Sequence, residues 1–218
     1  MHTNKTISLT EKILSRLAEH YGTESWNWHT QQTPFQILIG TVLSQRTRDE
    51  KTDIAARSLF SKFPTPERLA GASLAEIESL IRSVNYYRTK AKRIKKICET
   101  LMTDFAGETP SDIVKLRKLP GVGIKTASCV LVYGFGKPAI PVDTHVHRIF
   151  NRMQLIQTKT PEESEKILWD VVPSQHLLKV NELLVKHGQA ICGPRKPKCL
   201  LCPVVSLCKY GAIQSKQN

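Results

Sequence analysis

The sequence predicts an all-α protein, on three observations. Apolar residues recur at spacings of three and four in almost every segment, as one buried helix face requires. Two capping boxes, Thr33-Pro34-Phe35-Gln36 and Ser73-Leu74-Ala75-Glu76, stand directly before apolar runs. No segment shows the period-two alternation of a half-buried strand. A chain of 218 residues, 40% of them hydrophobic, is long enough for one large helical domain or two smaller ones, packed ridge into groove.

Taken in order, Ile13, Leu14 and Leu17 mark a first helix. The run Phe35 to Leu43 is apolar on nearly all sides, which predicts a central, buried helix. Behind the Ser73 box, Ile77, Leu80 and Ile81 form the next apolar face. Ile94, Ile97, Leu101 and Phe105 form one stripe, with Lys92, Lys95 and Lys96 expected to face away from it. A plausible helix runs from Thr144 to Met153. Thr160-Pro161-Glu162-Glu163 opens a later helix, and Leu177, Val180, Leu184 and Val185 mark the last long one.

The formal net charge is +13, with 32 Lys and Arg against 19 Asp and Glu. Such an excess points to a polyanionic partner, because each neutralised phosphate releases counterions. The cations cluster: Arg82, Arg88, Lys90, Lys92, Arg93, Lys95 and Lys96 in one stretch, Lys115, Arg117, Lys118 and Lys125 in another. The N-terminus leads into no apolar secretory segment, and no apolar run approaches a membrane span. The expectation is an intracellular protein with reduced cysteines and no membrane partner.

Leu119-Pro120-Gly121-Val122-Gly123 cannot be helix interior. Its glycines predict a tight turn between a basic helix ending near Lys118 and an apolar one starting near Ile124. Such a turn offers free N–H groups to phosphate at a helix start. Lys125 then falls in the first helical turn, where the helix dipole and Lys118 oppose its charge and favour the nucleophilic amine. A surface lysine binding phosphate fits the same position. Asp143, before the helix from Thr144, is placed for an N-cap and also for holding positive charge or moving protons. Near the C-terminus, Cys192-x6-Cys199-x2-Cys202-x5-Cys208 has the density of a metal centre, with Arg195, Lys196 and Lys198 inside the loop. A structural zinc is the plain chemical reading of four cysteines, although zinc sites usually show two close pairs and only Cys199-x2-Cys202 is one. Cys98 and Cys129 lie in apolar helical patterns and are expected to be buried.

Together, Leu119-Pro-Gly-Val-Gly-Ile-Lys125-Thr-Ala127, Val142-Asp-Thr-His145 and the four-cysteine loop resemble the endonuclease III branch of the helix-hairpin-helix DNA glycosylases. Val42-Leu-Ser-Gln-Arg-Thr-Arg-Asp49 and Tyr87-Arg-Thr-Lys-Ala91 add to the resemblance, which runs from the first helix to Cys208. It implies two helical domains with DNA in the cleft between them. Residues 24–137 would be a six-helix barrel carrying the hairpin. Residues 1–23 and 138–218 would be the domain of a 4Fe-4S cluster, ligated by Cys192, Cys199, Cys202 and Cys208.

The resemblance further implies a bifunctional glycosylase and abasic-site lyase, working with DNA in the cytoplasm or nucleoid of a prokaryote or in a nucleus. Its partner would be double-stranded DNA with a damaged base or abasic site, and a monomer is the default state that the resemblance implies. Lys125 would attack C1′ of a flipped nucleotide and Asp143 would stabilise the developing sugar cation, with oxidised pyrimidines the expected substrates. Alternatives are uracil or thymine mispaired with guanine, or a non-catalytic DNA-binding iron-sulfur protein. DNA contacts are expected at Gln45, Arg46, Tyr86, Gly121, Gly123, His145, Arg195 and Lys198. In the family a glutamine fills the gap left by the flipped base. Aligned on Leu43-Ser44 and Asp49, that position here holds Arg46, with Gln45 one place earlier. Tyr86 falls where relatives have an aliphatic intercalating residue, and a core tyrosine fits it equally well.

Overall fold

A computed structural model describes residues 4–22 and 32–214. The described residues are helical throughout, with no strand: α1 (Asn4–Tyr21), α2 (Pro34–Ser44), α3 (Asp49–Lys62), α4 (Pro66–Gly71), α5 (Leu74–Leu80), α6 (Tyr87–Asp104), α7 (Ile113–Leu116), α8 (Ile124–Cys129), α9 (Thr144–Arg152), α10 (Pro161–Val171), α11 (Val180–Ala190) and α12 (Lys209–Gln214). The chain divides into two compact units, Trp28–Lys137 and Met1–Asn27 with Pro138–Asn218. The expected boundary between residues 23 and 24 lies outside the described residues.

In the Trp28–Lys137 unit, α2 is the central element. Both halves of its capping box form: the Gln36 N–H donates to Thr33 Oγ1 at 3.3 Å, and the Thr33 N–H donates to Gln36 Oε1 at 2.9 Å. Phe35 and every residue from Ile37 to Leu43 are buried, and α3, α6 and α8 pack around the helix. The Ser73 box closes likewise at the start of α5. Helix α6 turns Ala91, Ile94, Ile97, Cys98 and Leu101 inward and packs on α4 and α5. Past Cys129, α8 widens into a π-helical segment, Val130–Gly134, that packs against α2.

Two sequence expectations change here. Lys95, expected on the face turned away from the apolar stripe, and Lys90, read as one cation of the basic stretch, are both tied to backbone carbonyls. Lys95 Nζ reaches the carbonyls of Ala70 and Ala72 at 2.8 and 2.7 Å, and Lys90 is buried at the end of α2. Both amines satisfy carbonyls left over at helix C-termini. The basic helix before the hairpin is a single turn, α7, leaving Arg117 and Lys118 in the turn that follows.

In the other unit, α1 packs on α10 and α11, and α9 packs on the same two helices. Ile13, Leu14 and Leu17 of α1 meet Val146, Ile149 and Phe150 of α9 and Leu184 of α11 in one core. Cys192, Cys202 and Cys208 border that core, so the cysteine loop is seated on it.

Candidate active site and cysteine loop

Leu119 and Val122 are 2% and 6% exposed and anchor the hairpin from below. Gly121, between them, has φ +72, the left-handed conformation that glycine adopts without penalty. A Cβ on it would run into the Arg93 side chain. Gly123, the N-cap residue of α8, has φ −83, and a Cβ there would meet nothing within 4 Å. The outer side of the hairpin is therefore open backbone beside the α8 start, rimmed by exposed Lys115, Arg117 and Lys118. Lys125 sits half-buried in the first turn of α8.

The segment after α2 lies against the start of α6. Gln45 turns inward: its Oε1 accepts from Arg93 Nη1 at 2.8 Å and its Nε2 approaches Thr126 Oγ1 at 3.5 Å. Arg46 faces solvent at φ +54, and Tyr86 is 63% exposed at φ +56. That exposure removes the core reading of Tyr86. Asn85 Nδ2 donates to the Arg46 carbonyl at 2.6 Å, tying the two segments together. In the sequence Arg93 counts only as one cation of the basic stretch, and nothing local singles out Asn85, in the turn before α6.

In the other unit, Asp143 is the N-cap of α9. Its Oδ1 accepts from the backbone N–H groups of His145 and Val146, both at 2.9 Å, so the cap does not consume Oδ2. His145 is half-buried, its Nδ1 3.1 Å from Arg148 Nη2. Further along α9, two arginines reach the cysteine loop. Arg148 donates to the Cys192 carbonyl through Nη2 at 2.9 Å. Arg152 donates to the carbonyls of Gly193 and Pro194 at 2.6 and 2.5 Å, with its guanidinium 5.0 Å from the Tyr210 ring centre. Their four-residue spacing on one helix face was the available sequence signal.

Cys192, Cys199, Cys202 and Cys208 all line one small cavity, together with Arg152, Ile191, Pro197 and Tyr210. Burial pushes the Cys202 thiol up to about 11 and raises Cys199 and Cys208 as well. Beneath them His187, fully buried, has Nδ1 3.0 Å from the Tyr21 hydroxyl and Nε2 3.7 Å from Cys202 Sγ. Burial, then the neighbouring His20 and Arg148, holds this imidazole down to about 4. Arg195 and Lys198 stand exposed on the loop.

Residues 39–174 match the family model described as HhH-GPD superfamily base excision DNA repair protein. The chain belongs to that family. An endonuclease III from Thermotoga maritima is 44% identical over 188 residues, 86% of this chain and 88% of the relative. A trapped endonuclease III–DNA covalent intermediate superposes with a TM-score of 0.88 at 34% identity, covering 99% of this chain and 100% of that one. A thermostable thymine-DNA glycosylase gives 0.85 at 26% identity, over 96% and 100% of the two chains. This member of the family is a DNA glycosylase and abasic-site lyase of base excision repair.

Proposed function

We propose that this glycosylase excises oxidised pyrimidines from duplex DNA and then cuts the strand through a Schiff base on Lys125. The observation that carries the reading is the placement of Lys125 in the first turn of α8, directly behind an open glycine hairpin. The hairpin suits a phosphate, and the lysine is then held beside the sugar that follows it. The similarity to an endonuclease III trapped covalently on DNA fits an amine nucleophile.

The damaged nucleotide is flipped out of the stack, because its reacting carbon is unreachable inside a duplex. The Lys125 amine bonds to C1′, and the glycosidic bond breaks with its electron pair leaving on the base, which takes up a proton. Asp143 stabilises the positive charge that develops on the sugar and accepts the proton shed by the attacking nitrogen. The nitrogen lone pair then forms a C1′=N bond as C1′–O4′ breaks with its electron pair on O4′, which takes the proton back from Asp143, leaving an iminium between Nζ and C1′. Its electron demand acidifies C2′; a proton leaves there, and the C3′–O bond breaks to cut the strand on the 3′ side.

Cys192, Cys199, Cys202 and Cys208 suit a 4Fe-4S cluster better than a single ion. Zinc would need its thiolates at about 2.3 Å from one centre. Among the described residues no three His, Cys, Asp or Glu side chains are gathered for one ion, yet all four cysteines face one cavity. A cluster takes one thiolate per iron and tolerates wider spacing. When bound, it is an electron-rich core that crosslinks the loop; Arg148 and Arg152 brace the loop from α9, and Arg195 and Lys198 are left for phosphate.

A second reading, excision of thymine or uracil opposite guanine, draws on the likeness to the thymine-DNA glycosylase. Base release from duplexes carrying thymine glycol, 5-hydroxycytosine, G·T or G·U separates the two. Oxidised pyrimidines are expected to react fastest. Preferential release from the guanine mispairs would reject the first reading in favour of the second.

A further inference from the structure

We propose that Lys90 is a positioning residue that locks the Arg46 segment onto the Tyr86 end of α6, so that the two exposed side chains form one preassembled wedge. The proposal rests on the reading that these side chains fill the space vacated by the flipped nucleotide.

Lys90 is 4% exposed. Its Nζ donates to the Leu43 carbonyl at 2.6 Å, the Gln45 carbonyl at 2.7 Å and Thr47 Oγ1 at 2.9 Å. Those bonds use all three N–H groups of an ammonium. Two of the acceptors are carbonyls at the end of α2, where a cation is favoured. The third is shared, since Thr47 Oγ1 also accepts the Asn85 N–H at 3.2 Å. Asn85 completes the tie through its 2.6 Å bond to the Arg46 carbonyl. Each residue from 45 to 47 is therefore held by a group from residues 85 to 90.

Arg46 and Tyr86 both adopt left-handed backbone angles, which side-chain-bearing residues rarely hold unless their surroundings impose it. Tyr86 is also the N-cap of α6 and makes no capping bond with its side chain. Neither residue gains locally from this conformation. Both have outward side chains, and the buried amine, with Asn85, ties the segment that carries Arg46 to the end of α6 that carries Tyr86. A buried lysine costs desolvation, which its bonds to otherwise unpaired carbonyls offset. Fixing two side chains before binding is what such a network supplies, because it removes an ordering cost from the bound state.

The test uses the full chain and two duplexes, one undamaged and one with a tetrahydrofuran abasic analogue opposite 2-aminopurine. Lys90→Met and Asn85→Ala are expected to lower the ratio of analogue to undamaged affinity by about tenfold, as loss of a buried network of this size implies. The 2-aminopurine emission in the complex should move toward that of Arg46→Ala/Tyr86→Ala. A folded Lys90→Met with unchanged ratio and emission overturns the proposal. If Lys90→Met does not fold, Asn85→Ala, whose side chain is exposed, decides by the same criterion. If Arg46→Ala/Tyr86→Ala itself leaves the ratio unchanged, the gap-filling reading falls, and this proposal with it.

Discussion

Asp143 Oδ1 accepts the backbone N–H of Val146 at 2.9 Å, the bond that starts α9. The same oxygen takes the His145 N–H, so one carboxylate oxygen does all the capping. Capping and catalysis can therefore be separated. Asp143→Asn keeps a capping oxygen and should hold stability within about 0.5 kcal/mol, whereas Asp143→Ala should cost about 0.5–2 kcal/mol. Both should lose base-excision rate by orders of magnitude, since neither can take charge or a proton. Melting curves and single-turnover base release check this; an active Asp143→Asn would confine the residue to the cap.

The hairpin glycines should fail in different ways. Gly121→Ala forces a left-handed alanine into the Arg93 side chain and should cost about 1–3 kcal/mol of stability. Gly123→Ala has ordinary backbone angles and open space, so stability should change by less than about 0.5 kcal/mol. If phosphate docks on this turn, Gly123→Ala should nevertheless weaken DNA binding. Anisotropy titrations at two salt concentrations read the effect; unaltered affinity would move the phosphate elsewhere.

Arg152 holds the Gly193 and Pro194 carbonyls, and its removal should loosen the loop between Cys192 and Cys199. Arg152→Leu should cost about 1–3 kcal/mol, the range for stranded partners of a charged donor. Iron bound per chain, followed by visible absorbance during dialysis against a chelator, should fall several-fold faster than in the parent protein. Equal retention would show that the cluster loop stands without the arginine.

Burial, and after it the charge of Arg93, pushes Lys90 down to about 8 from the ordinary lysine value of 10.5. Arg46 and Arg48 on the facing segment are exposed. Between these two values the unfolded chain holds the proton that the folded chain releases, so this residue's contribution to stability rises with pH across the window and is constant below it. Binding should move the other way, because a neutral amine has two N–H groups for three acceptors. From about pH 7 to about pH 9 the parent protein should lose preference for abasic-analogue DNA while gaining stability relative to Lys90→Met. Parallel profiles for the two proteins would contradict this.

The helices were legible because their signals are local. Thr33 with Gln36, Ser73 with Glu76 and the all-round apolar run from Phe35 each act within a few residues, and each forms as expected. The lysines of α6 were not legible. Lys90, Lys92, Lys95 and Lys96 look alike in sequence, yet Lys90 and Lys95 are taken by carbonyls at the ends of α2 and α4, positions that only tertiary packing supplies. The same limit hid Arg148 and Arg152, whose acceptors lie some forty residues away. Tyr86 was ambiguous because an aromatic beside a helix start suits core and surface equally; its 63% exposure resolves the choice.

The most direct test of the central claim is borohydride trapping on a duplex carrying one thymine glycol opposite adenine, with Lys125→Ala in parallel. A covalent protein–DNA adduct is expected from the parent chain and none from the variant. An adduct formed equally well by folded Lys125→Ala would contradict the assignment of the nucleophile and the mechanism built on it.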